Sequence, residues 1–353
     1  MLPTAIDLLK RLIATPSFSK EESETAGVLL DFLERHSIQA FRKGNNVWAR
    51  SAHWDEAKPV LLLNSHHDTV KPVSSWARDP FAPTIEGGRL YGLGSNDAGA
   101  SLVSLIAVFL ELRQRTDLAV NLLLAATAEE EISGAGGIAA LLPDLGRIDA
   151  AIVGEPTSLR MAVAERGLMV IDAEAIGKAG HAAREEGVNA IYLAADAIQK
   201  IRSLEPEKVS PLLGKVKITV TQIEAGRQHN IVPDLCRLVI DVRSNECYQN
   251  EELFHWLQQR LDLRLSARSF RLNASGIPLD HPLVQSGLNL GLSQFGSPTL
   301  SDQALMPFPS LKIGCGDSAR SHTADEYIEL QEIAAGISTY RDLILGLNWD
   351  YEK

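Results

Sequence analysis

The chain has 353 residues and is 45% hydrophobic, a composition typical of ordinary globular cores and a length that suggests about two domains. Its formal net charge of −11, from 34 basic and 45 acidic residues, argues against nucleic acid or an anionic membrane as the main partner. Three cysteines, Cys236, Cys247 and Cys315, fit neither a disulfide framework nor a zinc pattern, and we interpret them as reduced thiols.

The amino-terminal segment predicts a helix and not a secretory signal. Its apolar residues have helical spacing, and Asp7, Lys10 and Arg11 interrupt any continuous apolar region. No stretch reaches the roughly 18 apolar residues that a membrane span needs. We therefore expect a cytoplasmic protein.

The next segments alternate between helix and strand. Ser19 with Glu22 predicts a capping box at the start of a second helix. Strands are expected at Asn46–Arg50 and Val60–Asn64, followed by a long loop from Trp76 to Gly94. A buried helix is then expected to begin at the segment Asp97-Ala98-Gly99-Ala100.

Four apolar runs end just before residues that can bind a metal. Val60–Asn64 precedes His66 and Asp68, and the other three runs behave alike: Asn121–Thr127 precedes Glu129-Glu130-Glu131, Ala150–Gly154 precedes Glu155, and Ser310–Gly314 precedes His322. Continuous apolar runs are typical of parallel strands covered on both faces. Ligands of open α/β sheets bind beyond the carboxyl ends of such strands. The pattern therefore predicts one sheet edge that collects two histidines and several carboxylates.

The pattern changes after Glu165-Arg166-Gly167. The next hundred residues predict a βαββαβ order, with these elements: strands Leu168–Ile176, Val216–Ile223, Leu235–Val242 and Ser269–Asn273, and helices Gly187–Ile201 and Glu251–Leu263, the second capped by Asn250. The first pattern resumes near Pro278. We expect residues 1–166 and 276–353 to form an α/β catalytic domain with a mostly parallel sheet covered by helices, and residues 167–275 to form an inserted α+β sandwich.

A two-metal hydrolytic site needs a bridging carboxylate, His and carboxylate ligands on each side, and a base for a water molecule. The residues that can supply the metal ligands are His66, Asp97, Glu131, Glu155 and His322. This set without thiolates suits two zinc ions, with cobalt or manganese also possible. Glu130 is the candidate general base. Asp68, two residues after His66, can accept the second ring N–H of that histidine, whereas His67 points to the other side.

Each signal also has a simpler structural interpretation. Three successive glutamates are usually a solvated surface run, and a His-x-Asp pair is mostly structural. A histidine alone in a loop, such as His322, is more often a surface or capping residue, and Arg243 is as well explained by a salt bridge. Because the ligands share a position at strand ends, the joint interpretation is much stronger than any single signal.

Several motifs resemble the zinc metallopeptidase and amidohydrolase family of acetylornithine deacetylase, succinyl-diaminopimelate desuccinylase, aminoacylase and glutamate carboxypeptidase. These motifs are Ser65-His66-His67-Asp68-Thr69-Val70, Gly92-Leu93-Gly94-Ser95-Asn96-Asp97, Glu129-Glu130-Glu131, Gly154-Glu155-Pro156-Thr157, and Gly314-Cys315-Gly316 through His322 to Glu326. The resemblance is greatest to acetylornithine deacetylase-like members. It implies a zinc aminopeptidase-like catalytic domain with Asp97 as the bridging ligand, Glu130 as the base and Glu131 as a ligand.

The inserted domain resembles the lid and dimerisation domain of that family. Gly180-His181-Ala182-Ala183-Arg184 is similar to its lid motif, which implies that His181 crosses to a partner subunit of a homodimer and stabilises an oxyanion. Segments similar to the family's carboxylate-binding motifs imply that Asn230 and Arg243 hold the substrate carboxylate. One departure is Asp97-Ala98-Gly99-Ala100, which lacks the lysine of the family's Asp-x-Lys-Gly pattern.

The leading hypothesis is therefore metal-dependent hydrolysis of the amide bond of a small-molecule N-acyl amino acid in arginine biosynthesis. N-acetyl- or N-succinyl-ornithine and N-acetylcitrulline are the expected substrates. A dipeptidase or succinyl-diaminopimelate desuccinylase on the same scaffold is the alternative within enzymes. A non-catalytic metal-binding relative is the alternative outside them, and the presence of both Glu130 and His181 argues against it.

Overall fold

The computed structural model of the chain describes residues 1–349. Its helices are α1 (Leu2–Ile13), α2 (Ser23–Arg35), α3 (Ala100–Leu112), α4 (Ile138–Leu145), α5 (Ala190–Ser203), α6 (Asn250–Gln258), α7 (Pro282–Asn289) and α8 (Leu330–Leu345). Its strands are β1 (Ala40–Lys43), β2 (Asn46–Arg50), β3 (Val60–His66), β4 (Thr84–Glu86), β5 (Arg89–Tyr91), β6 (Asn121–Thr127), β7 (Ala150–Val153), β8 (Met161–Glu165), β9 (Met169–Ile176), β10 (Gly180–His181), β11 (Lys217–Ala225), β12 (Ile231–Val232), β13 (Leu235–Arg243), β14 (Arg264–Ala267), β15 (Ser275–Gly276), β16 (Gln294–Ser297), β17 (Ser310–Lys312) and β18 (Tyr327–Glu329). Short helical turns lie at Ser95–Gly99, Glu130–Ile132, Asp302–Leu305 and Ser318–Arg320.

The chain divides into two compact units. The first contains Met1–Val163, Gly276–Phe295 and residues 301–349, and the second contains Ala164–Ser275 with Gly296–Leu300. The sequence placed the boundaries at residues 166/167 and 275/276 and assigned residues 296–300 to the first domain. The short segment Gly296–Leu300 belongs to the second unit, where the Arg166 N–H donates to the Ser297 carbonyl oxygen. Periodicity does not encode such a contact.

The first unit is built on a mixed sheet whose centre is parallel. The strand order runs β1-β2-β6-β3-β7-β17, after which β8 pairs with β17 in antiparallel orientation. Strands β6, β3, β7 and β17 are mutually parallel, while β2 and β1 continue the sheet antiparallel at one side. Every residue of β3 and β6 is buried, as expected for strands covered on both faces. The predicted mostly parallel, helix-covered sheet is confirmed.

Helix α3 is the central helix of the first unit. It is apolar on every side, and 12 of its 13 residues are buried, which is the behaviour of a helix that packs within a core. The segment Ser95–Leu112 is long and apolar enough by composition to cross a membrane, so the expectation that no such stretch exists is wrong. However, 89% of this segment is buried inside the structure, because the sheet and α8 pack against α3.

The second unit is an α+β sandwich. Its antiparallel sheet has the order β11-β13-β9-β14, and α5 and α6 supply apolar residues to the core that this sheet covers. The chain order β9-α5-β11-β13-α6-β14 is the predicted βαββαβ arrangement. A two-stranded ribbon of β10 and β12 is added to it.

Several element boundaries differ from the sequence expectation. The last strand of the sandwich is Arg264–Ala267 and not Ser269–Asn273. Helix α5 begins at Ala190, where the side chain of Asn189 caps it by accepting the Ile191 N–H. Asn250 is the first residue of α6 and not its cap, because its side-chain amide donates to the carbonyl oxygens of Leu168 and Leu272. Contacts made in the folded chain therefore decide where these helices and strands begin and end.

The loop expected between Trp76 and Gly94 contains the short strands β4 and β5. They pair with each other, and β5 also pairs with β18, which together make a three-stranded sheet.

The predicted capping box is wrong. Glu22 precedes α2 without a side-chain cap bond, and the Ser19 hydroxyl donates to Asp68. The three cysteines are unpaired in the structure.

Candidate metal centre

The parallel strands bring the predicted ligands to one sheet edge. In the register of the sheet, His66 of β3 stands opposite Thr127 of β6, and Asn64 of β3 stands opposite Val153 of β7. Glu130 and Glu131 follow the end of β6, and Glu155 follows the end of β7. The local sequence therefore delivers these carboxylates beside His66 because the carboxyl ends of parallel strands lie at the same edge.

His66 lies at the centre of the cluster and is buried. Its Nε2 atom lies 3.3 Å from Asp97 Oδ1, 3.7 Å from Glu155 Oε1 and 3.8 Å from Glu130 Oε2. Its Nδ1 atom lies 3.0 Å from the Asp68 carbonyl oxygen. Since a carbonyl can only accept, Nδ1 carries a proton, and Nε2 faces the carboxylates.

Asp97 faces a histidine with each carboxylate oxygen. While Oδ1 approaches His66, Oδ2 lies 3.7 Å from His322 Nε2. The same nitrogen of His322 lies 2.9 Å from Glu131 Oε2. The structure therefore brings together all five residues proposed as ligands, with Asp97 between the two histidines.

Asp68 supports the cluster through more contacts than the sequence suggested. Besides its contact of 3.4 Å with His66 Nδ1, its carboxylate accepts the Glu130 N–H at 3.0 Å and the Glu131 N–H at 3.2 Å. The hydroxyl of Ser19 donates to the same carboxylate at 2.7 Å. Asp68 therefore positions His66, the candidate base and a candidate ligand together.

His67 points away from the cluster, as expected from strand alternation. Its Nε2 atom lies 2.9 Å from the Asn45 carbonyl oxygen, and its Nδ1 atom lies 2.9 Å from Thr25 Oγ1. Burial lowers the pKa of His67, which favours the neutral ring. Both ring nitrogens have partners outside the cluster.

The Glu129 side chain lies so close to the glycine-rich segment after the glutamates that two of its glycines have little room for a side chain. Glu129 and Ser133 both adopt left-handed backbone conformations, with φ of 55° and 46°. The Glu129 side chain turns over the following loop, where the Gly136 N–H donates to it. A Cβ atom at Gly134 or Gly136 would lie 2.0 or 2.3 Å from a Glu129 carboxylate oxygen. The contact between Glu129 and this loop fixes the conformation of the short turn that carries Glu130 and Glu131.

The three glutamates of the cluster have raised pKa values, so they resist ionisation. Burial, and then the charge of Glu155, raises the pKa of Glu130 well above its ordinary value. Burial also raises the pKa of Glu155 to about 8, with the charge of Asp97 contributing. Burial raises the pKa of Glu131, although its bond to His322 opposes the shift. Buried like charges are costly unless protons or a cation compensate them.

The pKa values of the two histidines are raised as well, which favours their charged forms. Burial acts to lower the pKa of His66, but the charge of Glu130 and the bonds to Asp68 and Asp97 outweigh it and raise the pKa well above its ordinary value. The bond to Glu131 raises the pKa of His322 to about 9. Both shifts show how strongly negative the cluster is.

The donor set fits divalent cations. Ligand atoms of His66, Asp97 and Glu131 lie within 4.8 Å of one another, and so do those of His66, Glu130 and Glu155. Imidazole nitrogen with carboxylate oxygen, and no thiolate, is the ligand type of zinc, cobalt and manganese sites. A bound cation would replace the protons that the raised carboxylate pKa values require.

Two further buried carboxylates support this edge and were missed in the sequence. Glu326 accepts the backbone N–H groups of Gly94, Asn96 and Asp97 at 2.8–3.0 Å and so holds the Asp97 segment. Asp302 accepts the side chains of Asn64 and Thr127. No periodicity marks these positions, because their partners come from distant parts of the sequence.

The missing lysine of the Asp-x-Lys-Gly pattern has a local explanation. Gly99 lies where the pattern has lysine, and a Cβ atom there would lie 2.4 Å from the Gly94 carbonyl oxygen and 2.7 Å from Leu9 Cδ1. The backbone of this chain therefore has no room for a side chain at position 99.

The residues predicted in the inserted domain lie within the second unit. His181 and Asn230 are neighbours, since the Ala182 N–H donates to the Asn230 carbonyl oxygen beside the β10–β12 ribbon. Arg243 is paired with Asp241 through two hydrogen bonds of 2.9 and 3.1 Å. The salt bridge considered for Arg243 is thus present, and a substrate carboxylate would have to share the guanidinium with Asp241.

Comparison with known proteins identifies relatives across nearly the whole chain. The sequence profile described as Peptidase family M20/M25/M40 matches residues 62–346. An acetylornithine deacetylase of Klebsiella pneumoniae (strain 342) is 31% identical and covers 94% of each chain. An acetylornithine deacetylase of Pectobacterium atrosepticum is 30% identical over 97% of this chain and 96% of its own length.

Solved structures share the fold at lower identity. The aminopeptidase PepT of Bacillus cereus superposes with a TM-score of 0.77 at 18% identity, over 98% of both chains. The Bacillus subtilis YXEP protein, described as a dinuclear metal binding peptidase from the M20 family, superposes with a TM-score of 0.75 at 16% identity, over 98% of this chain and 97% of its own.

Proposed function

Since the chain belongs to peptidase family M20/M25/M40 and is a metal-dependent hydrolase, we propose that it hydrolyses the amide bond of an N-acyl amino acid. The relatives named acetylornithine deacetylase support this choice because their similarity extends over both units. N-acetyl- or N-succinyl-ornithine and N-acetylcitrulline are the proposed substrates, and arginine biosynthesis is the proposed setting. The unpaired cysteines are compatible with a cytoplasmic location.

The observation that carries the proposal is the position of Asp97 between His66 and His322. In this assignment His66, Asp97 and Glu155 would hold one zinc ion, and Asp97, Glu131 and His322 would hold the other. Asp97 would be the shared ligand, since each of its oxygens faces a different histidine. Cobalt or manganese could occupy the same donors.

The protein's own contribution to the reaction centres on Glu130. The cations would supply Lewis acidity toward the acyl carbonyl and a nucleophilic water. Glu130 would accept a proton from that water as its oxygen attacks the acyl carbon. It would then return the proton to the amine nitrogen as the C–N bond breaks, which releases the free amino acid and a carboxylic acid that loses its own proton to solvent.

The second unit would contribute to substrate binding and to the oxyanion. His181 would donate a hydrogen bond to the carbonyl oxygen as negative charge develops there. Arg243 and Asn230 would hold the α-carboxylate of the substrate through charge-assisted hydrogen bonds. Amidation of that carboxylate should therefore raise KM, and an unchanged kcat/KM in both the amidated substrate and the Arg243→Ala variant would place the carboxylate site elsewhere.

A homodimer through the second unit is part of the proposal. Strand β11 lies at an edge of the four-stranded sheet, and among the described residues no strand pairs with its outer side. Ile223 on this strand and Tyr192 on α5 are 57% and 70% exposed. An edge strand with exposed apolar side chains favours pairing with another chain.

Complementation tests whether His181 acts in the partner's site. Glu130→Gln and His181→Ala chains, each nearly inactive, are co-expressed to form mixed dimers. If His181 acts in trans, one site of the mixed dimer has an intact base and an intact histidine, so activity returns. If His181 serves its own chain, every site carries a defect, and activity stays absent.

The activity itself is tested with the zinc-loaded protein and a substrate panel. The panel contains N-acetyl-ornithine, N-succinyl-ornithine, N-acetylcitrulline, N-succinyl-diaminopimelate and simple dipeptides. We expect release of ornithine or citrulline to be fastest, with Glu130→Gln as the inactive control. Preferential cleavage of the dipeptides or of N-succinyl-diaminopimelate would replace the proposed substrate class, and no cleavage of any compound would contradict an enzymatic role.

A further inference from the structure

The turn that carries the candidate base has a conformation that needs external support. It contains only three residues, Glu130–Ile132, and left-handed Glu129 and Ser133 flank it. Non-glycine residues in this conformation are uncommon and persist when the surrounding structure holds them in place. The N–H groups at the start of a helical turn also have no partner within it. The position of Glu130 therefore depends on groups from elsewhere in the chain.

Those groups come from two carboxylates. Asp68 accepts the N–H groups of Glu130 and Glu131, and Glu22 accepts the N–H of Glu129 at 3.1 Å. Glu22 is fully buried. Its other contacts are the Lys20 N–H at 2.7 Å and the Asn45 side-chain amide at 2.8 Å. Three successive backbone N–H groups are thus held by two side chains.

Both carboxylates are tied to one segment, the connection between α1 and α2 from Ser17 to Glu22. Ser19 donates to Asp68 Oδ2 at 2.7 Å, which is the oxygen that also accepts the Glu131 N–H. At the beginning of the segment, the Ser17 hydroxyl donates to the His67 carbonyl oxygen, and the Thr69 N–H donates to the Ser17 carbonyl oxygen. The segment therefore brackets Asp68 on both sides and reaches the glutamate turn directly through Glu22.

We propose that the segment Ser17–Glu22 is a positioning clamp for Glu130, in which Ser19 acts through Asp68 and Glu22 acts through the backbone of Glu129. The role of the clamp in turnover rests on the proposed hydrolytic function. The side chains of Ser19 and Glu22 do not bond to the side chains of the candidate metal ligands. Both are therefore positioning residues. The clamp fixes the direction of the base and leaves the ligand set intact.

Ser19→Ala tests the clamp because it removes one donor and little volume from a partly exposed position. A hydrogen bond to a charged acceptor is worth enough to change a rate by about tenfold. We expect kcat to fall by about that factor, with KM within about twofold of wild type and with unchanged metal content. Ser19→Thr keeps the hydroxyl and should restore kcat.

Ser23→Ala is the matched control. Ser23 lies four residues further along, is exposed, and its hydroxyl accepts from Arg42 instead of contacting Asp68. Its kcat should equal that of wild type. If Ser19→Ala has the kcat of Ser23→Ala, or if Ser19→Thr fails to restore activity while folded, the clamp is refuted.

Hydrogen exchange separates failure of the clamp from failure of the proposed function. The backbone amides of Glu130 and Glu131 should exchange faster in Ser19→Ala than in Ser23→Ala, while the two variants have equal thermal stability. This result is expected whether or not the wild-type protein hydrolyses any compound of the panel. Equal exchange in the two variants would refute the clamp even in an active enzyme. If Ser19→Ala does not fold, Ser19→Cys, with a weaker donor, replaces it and should give a smaller change in the same direction.

Discussion

Replacement of Glu130 by glutamine removes a base and leaves the architecture of the centre in place. The backbone N–H of Glu130 is held by Asp68, and that bond does not involve the side chain that is changed. Glutamine has nearly the same size and keeps one carbonyl oxygen. Glu130 Oε2 lies 3.8 Å from His66 Nε2, within the cluster but outside the proposed ligand set of either ion. We therefore expect turnover to be lost and metal to be retained.

The magnitude follows from what a general base contributes. Proton transfer by a positioned side chain is worth about 10²–10⁴ in rate. The loss of kcat should accordingly be at least about a hundredfold, which corresponds to about 2.7 kcal/mol of transition-state stabilisation. KM should change much less, because Glu130 is not proposed to bind the substrate. Steady-state kinetics with the best substrate of the panel gives both constants.

The same substitution one residue along is the matched control. Glu131 Oε2 lies 2.9 Å from His322 Nε2, so Glu131→Gln should lower metal content as well as activity. Metal analysis after gel filtration separates the two variants. Near-normal turnover of metal-loaded Glu130→Gln, or full metal content in Glu131→Gln together with metal loss in Glu130→Gln, would show that the roles of the two glutamates have been exchanged or misplaced.

Three further outcomes are expected. His322→Ala should lower the metal content measured by mass spectrometry, whereas the exposed His53→Ala should not, and full content in both would remove His322 from the ligand set. Tyr340→Phe should lower the free energy of unfolding by about 1–3 kcal/mol, because the buried hydroxyl donates to the Ile313 carbonyl oxygen at 2.7 Å; urea unfolding that matches wild type would contradict this. Burial lowers the pKa of His281, whose Nδ1 accepts the Leu283 N–H as the cap of α7. The unfolded chain then binds this proton more readily than the folded chain, so stability should be full above the ordinary pKa near 6.5 and fall as the pH drops below it. His281→Asn, which can cap without titrating, should lose that part of the pH dependence, and an identical pH profile in the two proteins would refute the assignment.

The parallel sheet, and the histidine and carboxylates at its edge, could be predicted because they depend on local sequence patterns. Apolar runs such as Val60–Asn64 cannot be exposed, so they predict strands covered on both faces, and parallel strands place their carboxyl ends together. The residues that follow those ends were therefore expected to meet, and the structure brings His66 within 4 Å of Asp97, Glu130 and Glu155. Their roles in metal binding and catalysis remain predictions.

The supporting residues could not be predicted in the same way. Ser19 and Glu22 have the spacing of a capping box, yet both side chains bind groups far away in the sequence, on Asp68 and Glu129. Local capping and distant hydrogen bonds compete for the same side-chain oxygens. Here the Ser19 hydroxyl donates to the Asp68 carboxylate, and Glu22 accepts the distant Glu129 N–H besides the nearby Lys20 N–H.

The sequence by itself determined the class of fold, the order of the strands along the chain and the residue types at the strand ends, since apolar periodicity and ligand chemistry are local properties. The tertiary structure decided which carboxylates share a histidine, which oxygen of Asp97 faces which ring, and that Glu326, Asp302, Ser19 and Glu22 hold the edge in place. These facts depend on contacts between residues far apart in the sequence, such as Asn64 and Asp302, which are 238 residues apart. No local pattern encodes such a contact, because its free energy exists only once the chain has folded.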